Sequence, residues 1–230
     1  MVSATGLRIR RFAATVIGGA IFMLILLPSR THAGDTARTI TIVAFGDSLT
    51  AGYLLKPSDA FPVQLEAALR AKGHNVNVVN AGVSGDTTAA GLERLQWTLE
   101  TGGDAVIVEL GANDALRGTD PKDTRENLDK IISKIKAKGA DVLLTGIPAP
   151  ANWGDAYKAS FDRIFPDLSE KYAIPLYPFF LAGVKAGPKH VLPDGLHPTA
   201  LGVAEIVKGI LPEAEALVAR VKARLSSAKN

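Results

Sequence analysis

A serine stands at the end of an apolar run near the start of the chain. The run covers residues 39–45 and leads directly into Gly46-Asp47-Ser48-Leu49. Glycines at positions 46 and 52 permit a tight turn there, and a backbone N–H at a strand-to-helix turn can point at an anionic oxygen. Ser48 is therefore a candidate nucleophile for acyl transfer. The alternative is a serine that caps a helix in a glycine turn.

An acid and an imidazole lie three residues apart near the other end of the sequence, in Asp194-Gly195-Leu196-His197. A short loop with this spacing can bring the carboxylate onto the imidazole, where it fixes the tautomer and stabilises the imidazolium that forms as a serine loses its proton. Of the other histidines, His74 lies in a turn that reads as exposed, and His190, the remaining competitor, has no acid beside it. We expect His197 to be the general base and Asp194 its partner.

Two further loops carry dipoles that suit an oxyanion. They read Ser84-Gly85-Asp86-Thr87 and Leu110-Gly111-Ala112-Asn113-Asp114, and each follows a predicted strand. A glycine N–H and an asparagine side-chain amide stabilise a tetrahedral oxyanion because they donate without a proton to lose. The alternative is structural, with Gly85 in a turn and Asn113 in an Asx-turn.

Together and in this order, the four segments resemble the SGNH (GDSL-type) hydrolases, and their wording is closest to the bacterial multifunctional thioesterase/lysophospholipase/arylesterase branch. The resemblance covers essentially the whole chain after residue 33. It implies a nucleophile at Ser48, a base pair of His197 and Asp194, and an oxyanion hole built from the N–H groups of Ser48 and Gly85 and the amide of Asn113. One departure is Ala112, where close relatives often have a second glycine; it leaves the chemistry intact.

The resemblance also implies a substrate and a place for it. The substrate is a small acyl ester or thioester, with lysophospholipids among the candidates, and no metal or organic cofactor takes part. The acyl group is expected along the loops 115–120 and 147–157, with Leu116, Ile147, Pro148 and Trp153 as lining; packing within the loop is the alternative for Pro148 and Trp153. The resemblance thus implies a carboxylic ester hydrolase that acts on aryl esters, lysophospholipids or acyl-CoA thioesters.

Two other functions compete with this interpretation. A carbohydrate O-acetyl esterase is expected to carry aromatic platforms or an attached binding domain, whereas aromatic residues make up 6% of this chain. A binding module that has lost catalysis is expected to lack one of Ser48, Asp194 and His197, and all three are present.

Short apolar runs alternate with helix-period segments from residue 39 onward, which predicts an α/β fold with a parallel sheet covered on both faces. The resemblance implies a flavodoxin-like three-layer α/β/α sandwich with five parallel strands. The predicted strands are Thr39–Phe45, Val76–Asn80, Asp104–Glu109, Asp141–Thr145 and Ile174–Leu176. The predicted helices are Phe61–Ala71, Thr87–Leu99, Pro121–Lys138, Ala156–Lys171 and Thr199 to about Leu225, the last with a kink at Pro212. In such sheets functional groups collect at the carboxyl ends of the strands.

The first 33 residues differ from the rest. Three arginines precede an acid-free apolar run over residues 12–27, and Thr31-His32-Ala33 follows. This is the layout of a secretory signal peptide, and an apolar run of this length falls short of the roughly 20 residues that span a bilayer. We expect cleavage near Ala33, export to the periplasm or the medium, no stable membrane span afterwards, and a single hydrolase domain over residues 34–230.

Composition excludes several classes of protein. The leader carries four arginines and no acid, so its removal lowers the formal net charge from +3 to −1 and leaves no basic field for nucleic acid. The sequence has no cysteine, which excludes disulfides, a thiolate nucleophile and cysteine-ligated zinc. Hydrophobic residues make up 47% of the chain, enough for a packed globular core.

Overall fold

Five parallel strands form the centre of the computed structural model, which describes Met1, Val2 and residues 38–228. The strands are β1 (Ile40–Gly46), β2 (Val76–Gly82), β3 (Ala105–Glu109), β4 (Asp141–Thr145) and β5 (Leu176–Tyr177). Their order in the sheet is β2-β1-β3-β4-β5, and every neighbouring pair is parallel. This is the flavodoxin-like strand order.

Eight α-helices accompany the sheet in the described residues. They are α1 (Ser48–Ala51), α2 (Phe61–Ala71), α3 (Thr88–Glu100), α4 (Ala112–Arg117), α5 (Pro121–Ala137), α6 (Asp155–Asp162), α7 (Ile164–Tyr172) and α8 (Ala200–Ser227). Single 3₁₀ turns lie at Pro57–Asp59 and Ala151–Trp153. All these elements belong to the unit formed by residues 37–230, and none of the helices described has the length and apolarity that a membrane crossing requires.

Side chains of the interior strand β1 point alternately into two cores. Ile42 and Ala44 pack with α2 and α8, whereas Val43 and Phe45 pack with α3, α5 and α7. A strand buried on both faces must be apolar at consecutive positions, which explains the unbroken run seen in the sequence. The three-layer α/β/α sandwich with a five-stranded parallel sheet is thereby confirmed.

Side-chain caps determine where two of the helices begin. Asp120 caps α5 by accepting the N–H of Lys122 at 2.9 Å, and Pro121 opens the helix. Thr87, predicted as the first residue of a helix, is instead the cap of α3 and accepts the N–H of Ala90. The start of α3 thus moves by one residue from its predicted position, and the predicted helix is otherwise in place.

The helix predicted over residues 156–171 is two helices, which is a correction. Helix α6 ends at Asp162 and α7 starts at Ile164. The physical reason is Pro166: it has no N–H to donate to the Asp162 carbonyl, so one helical hydrogen bond cannot form at that point. By contrast, α8 runs through Pro212 without interruption.

The last strand is also displaced from its predicted place, Ile174–Leu176. Ile174 donates its N–H to the Ser169 carbonyl at 3.0 Å and so completes the end of α7, with Ala173 in a left-handed conformation at φ 49°. Strand β5 therefore starts only at Leu176. The predicted leader, residues 1–33, lies outside the described residues apart from Met1 and Val2.

Candidate active site

The turn after β1 presents Ser48 at the carboxyl edge of the sheet. Ser48 is the first residue of α1, and the side chain of Asp47 caps this helix by accepting the N–H of Leu49 at 3.0 Å. Gly46 has to lack a side chain, because a Cβ there would lie 2.6 Å from the Glu109 carboxylate. The chain consequently passes from strand to helix within two residues. The first N–H groups of a helix have no partner inside it, so the Ser48 N–H is of the kind that can receive an anion.

The loop that carries Asp194 and His197 closes on itself. Asp194 Oδ1 accepts the N–H groups of Leu196 at 2.9 Å and His197 at 3.0 Å, and Oδ2 lies 2.7 Å from His197 Nδ1. These backbone N–H groups, followed by the imidazole, lower the pKa of Asp194 to about 2. The Leu192 N–H donates to the His197 carbonyl at 2.8 Å and fixes the loop.

A hydrogen bond joins this loop to the serine. His197 Nε2 lies 2.9 Å from Ser48 Oγ. With its proton on Nδ1, facing the carboxylate, the imidazole leaves Nε2 as the acceptor for the serine hydroxyl. The structure thus brings Ser48, His197 and Asp194 into one hydrogen-bonded chain. His74, which the sequence suggests is exposed, is half-buried instead, and its ring nitrogen lies 3.3 Å from Glu215.

Asn113 lies beside the serine, and both residues line the wall of one cavity. Its amide Nδ2 donates to Asp47 Oδ2 at 3.1 Å and to the Asp86 carbonyl at 3.0 Å. Both amide hydrogens therefore have acceptors and the side chain has one orientation. An oxyanion at this wall would take over one of these two hydrogen bonds.

Gly85 lies next to this group but does not line the cavity. Its φ of +90° is in the region that favours glycine. Its carbonyl accepts from Arg117 at 3.0 Å, and the carbonyl of the following residue, Asp86, holds Asn113. The loop of residues 84–87 is thus tied to α4 at Gly85 and at the residue that follows it.

An apolar cavity of about 450 Å³ opens beside Ser48 and His197. Three of the four residues predicted to contact an acyl group, Leu116, Ile147 and Pro148, line it. Phe179 and Leu181, which no motif indicates, and Leu196 from the Asp194–His197 segment line it as well.

Trp153, the fourth predicted lining residue, does not line this cavity. Its indole N–H donates to the Ala115 carbonyl at 2.8 Å, and its ring covers the bare Cα of Gly118. Trp153, which is 45% exposed, therefore packs against the end of α4 and ties its own loop to that helix.

Two buried acids lie directly beneath the serine turn, and the sequence motifs did not reveal this pair. The Asp47 and Glu109 side chains are 0% and 2% exposed. Burial raises the pKa of both carboxyls, and the charge of Asp47 raises that of Glu109 further. The available signal was an acid at the end of the apolar strand β3. Within the described part of the chain, no group of three or more His, Cys, Asp or Glu side chains is placed to hold a metal ion.

The sequence is similar to those of known proteins. The model of the GDSL-like lipase/acylhydrolase family matches residues 44–204. The chain is 44% identical to an arylesterase of Vibrio mimicus over 158 residues, which are 68% of this chain and 79% of the relative. It is 41% identical to thioesterase 1/protease 1/lysophospholipase L1 of Escherichia coli K12 over 176 residues, 76% of this chain and 81% of the relative.

The fold is similar to that of solved structures as well. AlinE4, described as an SGNH-hydrolase family esterase, superimposes with a TM-score of 0.66 at 45% sequence identity. The match covers 77% of this chain and 96% of AlinE4. The family match over residues 44–204, the sequence identities and the similar fold thus agree with one another.

Proposed function

The chain belongs to the GDSL-like lipase/acylhydrolase family and is a carboxylic ester hydrolase, and from that premise we propose that it works through an acyl-enzyme on Ser48. His197 is the general base, and Asp194 orients it. The observation that carries the proposal is the hydrogen-bonded chain from Asp194 through His197 to Ser48, 2.7 Å and 2.9 Å long at its two links.

Acylation begins when Ser48 Oγ attacks the carbonyl carbon of the substrate. His197 Nε2 takes the hydroxyl proton, a C–O bond forms, and the carbonyl electrons move onto the oxygen. The N–H of Ser48 and the amide of Asn113, both at the cavity wall, receive this oxyanion, and the N–H of Gly85 is the third donor that the family pattern implies. Asp194 stabilises the imidazolium, which then gives its proton to the leaving alcohol or thiol as the bond to that group breaks.

Deacylation repeats these steps with water. His197 removes a proton from a water molecule, which attacks the acyl carbon of the ester on Ser48. The second tetrahedral intermediate collapses to the free acid, and the proton returns to Ser48 Oγ. No other reactant is required.

The substrates are esters and thioesters with an apolar acyl part. The cavity beside Ser48 supports this, because its wall is built largely from leucine, isoleucine, proline, alanine and phenylalanine side chains. The names of the relatives, arylesterase and thioesterase/lysophospholipase, indicate aryl esters, acyl thioesters and lysophospholipids as the compounds to try. A carbohydrate O-acetyl esterase is not favoured, since a sugar ring would need polar partners on this wall.

A covalent probe tests the nucleophile. A fluorophosphonate is expected to label Ser48, and Ser48→Ala is expected to lose both label and turnover. Ser84→Ala is the matched control, because Ser84 is an exposed serine in a neighbouring loop; it should retain both. Label on any other serine in the wild-type protein would contradict the assignment.

A substrate panel then tests the class. The panel contains p-nitrophenyl esters of increasing chain length, an acyl-CoA, lysophosphatidylcholine and an acetylated xylan. We expect hydrolysis of the first three kinds. Deacetylation of xylan with little activity on the others would instead support the carbohydrate esterase.

Export of the protein is a separate proposal, which rests on the arginines, apolar run and small residues before position 34. N-terminal sequencing of the protein recovered outside the cytoplasm should give a start near Gly34. Leu24→Glu places a charge in the apolar run and is expected to keep the protein uncleaved inside the cell. Recovery of the full-length chain outside the cytoplasm would contradict cleavage.

A further inference from the structure

The acids Asp47 and Glu109 occupy a place that the proposed mechanism does not use. They lie at the carboxyl ends of the adjacent strands β1 and β3, where Gly46 is in register with Glu109. The Asp47 N–H and the Thr50 hydroxyl both donate to Glu109 Oε2, at 3.3 Å and 2.8 Å. The two acids therefore lie together under the turn that carries Ser48.

No cation neutralises this pair among the residues described. Arg94 is nearby, but its Nε pairs with Asp86, and its Nη2 donates to the Gly46 carbonyl at 2.9 Å. The charge of His197 acts on Asp47 from the loop before α8. Asp114, the next acid along β3 and α4, is held by the N–H and hydroxyl of Thr88.

Two buried carboxylates without a cation cannot both be ionised, because each charge disfavours the other and water solvates neither of them. At least one proton must be shared. The hydrogen-bond donors decide where it resides. Asp47 accepts two N–H groups, from Leu49 and Asn113, one at each oxygen, and donors of this kind favour the anion. Glu109 also accepts two donors, but both of them at Oε2, so its other oxygen, Oε1, is the one that can carry the proton.

We propose that Glu109 is a positioning residue that holds one proton at neutral pH and donates it to Asp47, so that the Asp47 carboxylate fixes the amide of Asn113. The O–H of Glu109 gives Asp47 a permanent donor on one side. Oδ2 of Asp47 is then left as an acceptor for Asn113, at the 3.1 Å contact. A neutral Glu109 thus fixes, through Asp47, the position of the Asn113 amide.

Loss of this proton would undo the arrangement. Burial raises the pKa of Glu109, so its neutral form is favoured in the folded protein and is lost as the pH rises through that raised value. Two adjacent charges would then repel, and Asp47 would move from Asn113. This part of the inference rests on the proposed function, in which Asn113 receives the oxyanion.

Two substitutions at position 109 separate positioning from bulk stability. Glu109→Gln keeps a donor at every pH; we expect kcat to fall by about threefold or less, and we expect the alkaline loss of kcat that the proposal predicts for the wild type to disappear. Glu109→Ala removes the donor and should lower kcat by about ten- to a hundredfold, with KM little changed. Equal losses of kcat in the two variants, or an unchanged alkaline limb in Glu109→Gln, would overturn the proposal.

Asp104→Asn is the matched control. Asp104 is 7% exposed, lies just before the opposite end of the same strand, and accepts from Arg38 and from the Thr41 N–H. Its loss is expected to lower the melting temperature and leave kcat and the pH profile as they are. A change in the alkaline limb of this control would show that the limb reports stability, and would overturn the role of Glu109.

The proton itself has a direct readout that does not depend on turnover. In Ser48→Ala protein labelled with ¹³C at glutamate carboxyls, the Glu109 resonance is identified by its absence after Glu109→Gln. We expect it in the range of a protonated carboxyl at pH 7 and expect it to move only at higher pH. A carboxylate resonance at pH 7 would refute the shared proton, whatever the fate of the Ser48 assignment.

Discussion

Asp194 is a surface carboxylate whose charge is fixed by its own loop. Two backbone N–H groups and the imidazole lower its pKa to about 2. This pKa lies below the ordinary aspartate pKa of about 3.9. The ionised Asp194 therefore stabilises the folded protein at pH values above the ordinary pKa, and this contribution is lost as the pH falls through the lowered pKa. Asp194 therefore stays ionised throughout the pH range in which a histidine changes its charge.

It follows that protonation of Asp194 does not account for a loss of activity between about pH 8 and 5, which is left to the general base. Activity is expected to rise with pH between about 5 and 8 with the slope of a single proton. Asp194→Asn removes the anion that stabilises the imidazolium, so it should move this acid limb to lower pH and lower kcat by roughly 10²–10⁴. Measurement of kcat/KM against pH for both proteins checks this, and an unmoved limb would count against the pairing.

Asn113 is held by two acceptors, and this makes a distinct kinetic prediction. An oxyanion donor is worth more in the transition state than in the ground state, so Asn113→Ala should lower kcat by about 10²–10³ with little change in KM. It should also cost some stability, about 0.5–1.5 kcal/mol for each hydrogen bond lost.

Asn127→Ala supplies the comparison for this prediction. Asn127 donates its amide to the Thr88 hydroxyl at 3.2 Å, in a part-buried contact on α5. This variant should lose stability alone. If Asn113→Ala also melts earlier yet keeps nearly full kcat, the residue is structural, and the oxyanion hole consists of backbone N–H groups.

At the scale of whole elements, helix α8 sets the position of the loop that carries the base. Gly202 lies against the His190 carbonyl so closely that a Cβ would collide with it. Gly202→Ala should therefore push α8 and the 190–198 loop apart, with a cost of about 1–3 kcal/mol and a loss of kcat. Melting temperature and kcat of the same variant test this.

Gly209→Ala is the control on the same helix. There a Cβ would meet the hydroxyl end of the Tyr177 side chain, which can move more readily than backbone. Both substitutions gain the same helix propensity, about 1 kcal/mol for glycine to alanine. A larger loss of stability and activity in Gly209→Ala than in Gly202→Ala would contradict the role given to the loop contact.

Most elements of this fold are predictable from sequence pattern, and the exceptions have identifiable causes. Buried parallel strands are unbroken apolar runs, and α5 combines a cap, a first-turn proline and an apolar stripe. Helices α1 and α4 have four and six residues, too few to show a helical period. The break between α6 and α7 depends on one missing N–H at Pro166, which an apolar stripe does not record.

The site was predictable to the extent that its residues stand in motifs. Type and spacing make Ser48, Asp194 and His197 candidates, the family resemblance implies their roles, and the structure brings them together. The burial of Glu109 was not evident, because a glutamate at the end of a strand is exposed in most proteins. Trp153 was placed in the cavity by analogy of its loop, whereas its N–H is satisfied by Ala115.

At the scale of the whole molecule, the described elements form one unit over residues 37–230, and the sequence has no cysteine. A chain that starts at Gly34 is therefore expected to fold in a reducing compartment as well as in an oxidising one. Protein made in the cytoplasm without its leader and protein recovered after export should have the same melting temperature and kcat. A lower melting temperature for the cytoplasmic product would show that folding requires something beyond this unit.

The link between His197 and Ser48 spans 149 positions of the chain, and this distance has a consequence for biosynthesis. The proposed nucleophile leaves the ribosome early, directly after β1, and its proposed base leaves it late, after β2, β3, β4 and β5 have already been made. In the proposed mechanism the serine is an ordinary hydroxyl until then. Hydrolytic competence is thus expected among the last properties the growing polypeptide acquires, and truncated or unfinished chains are expected not to attack the acyl esters and thioesters of the cell that makes them.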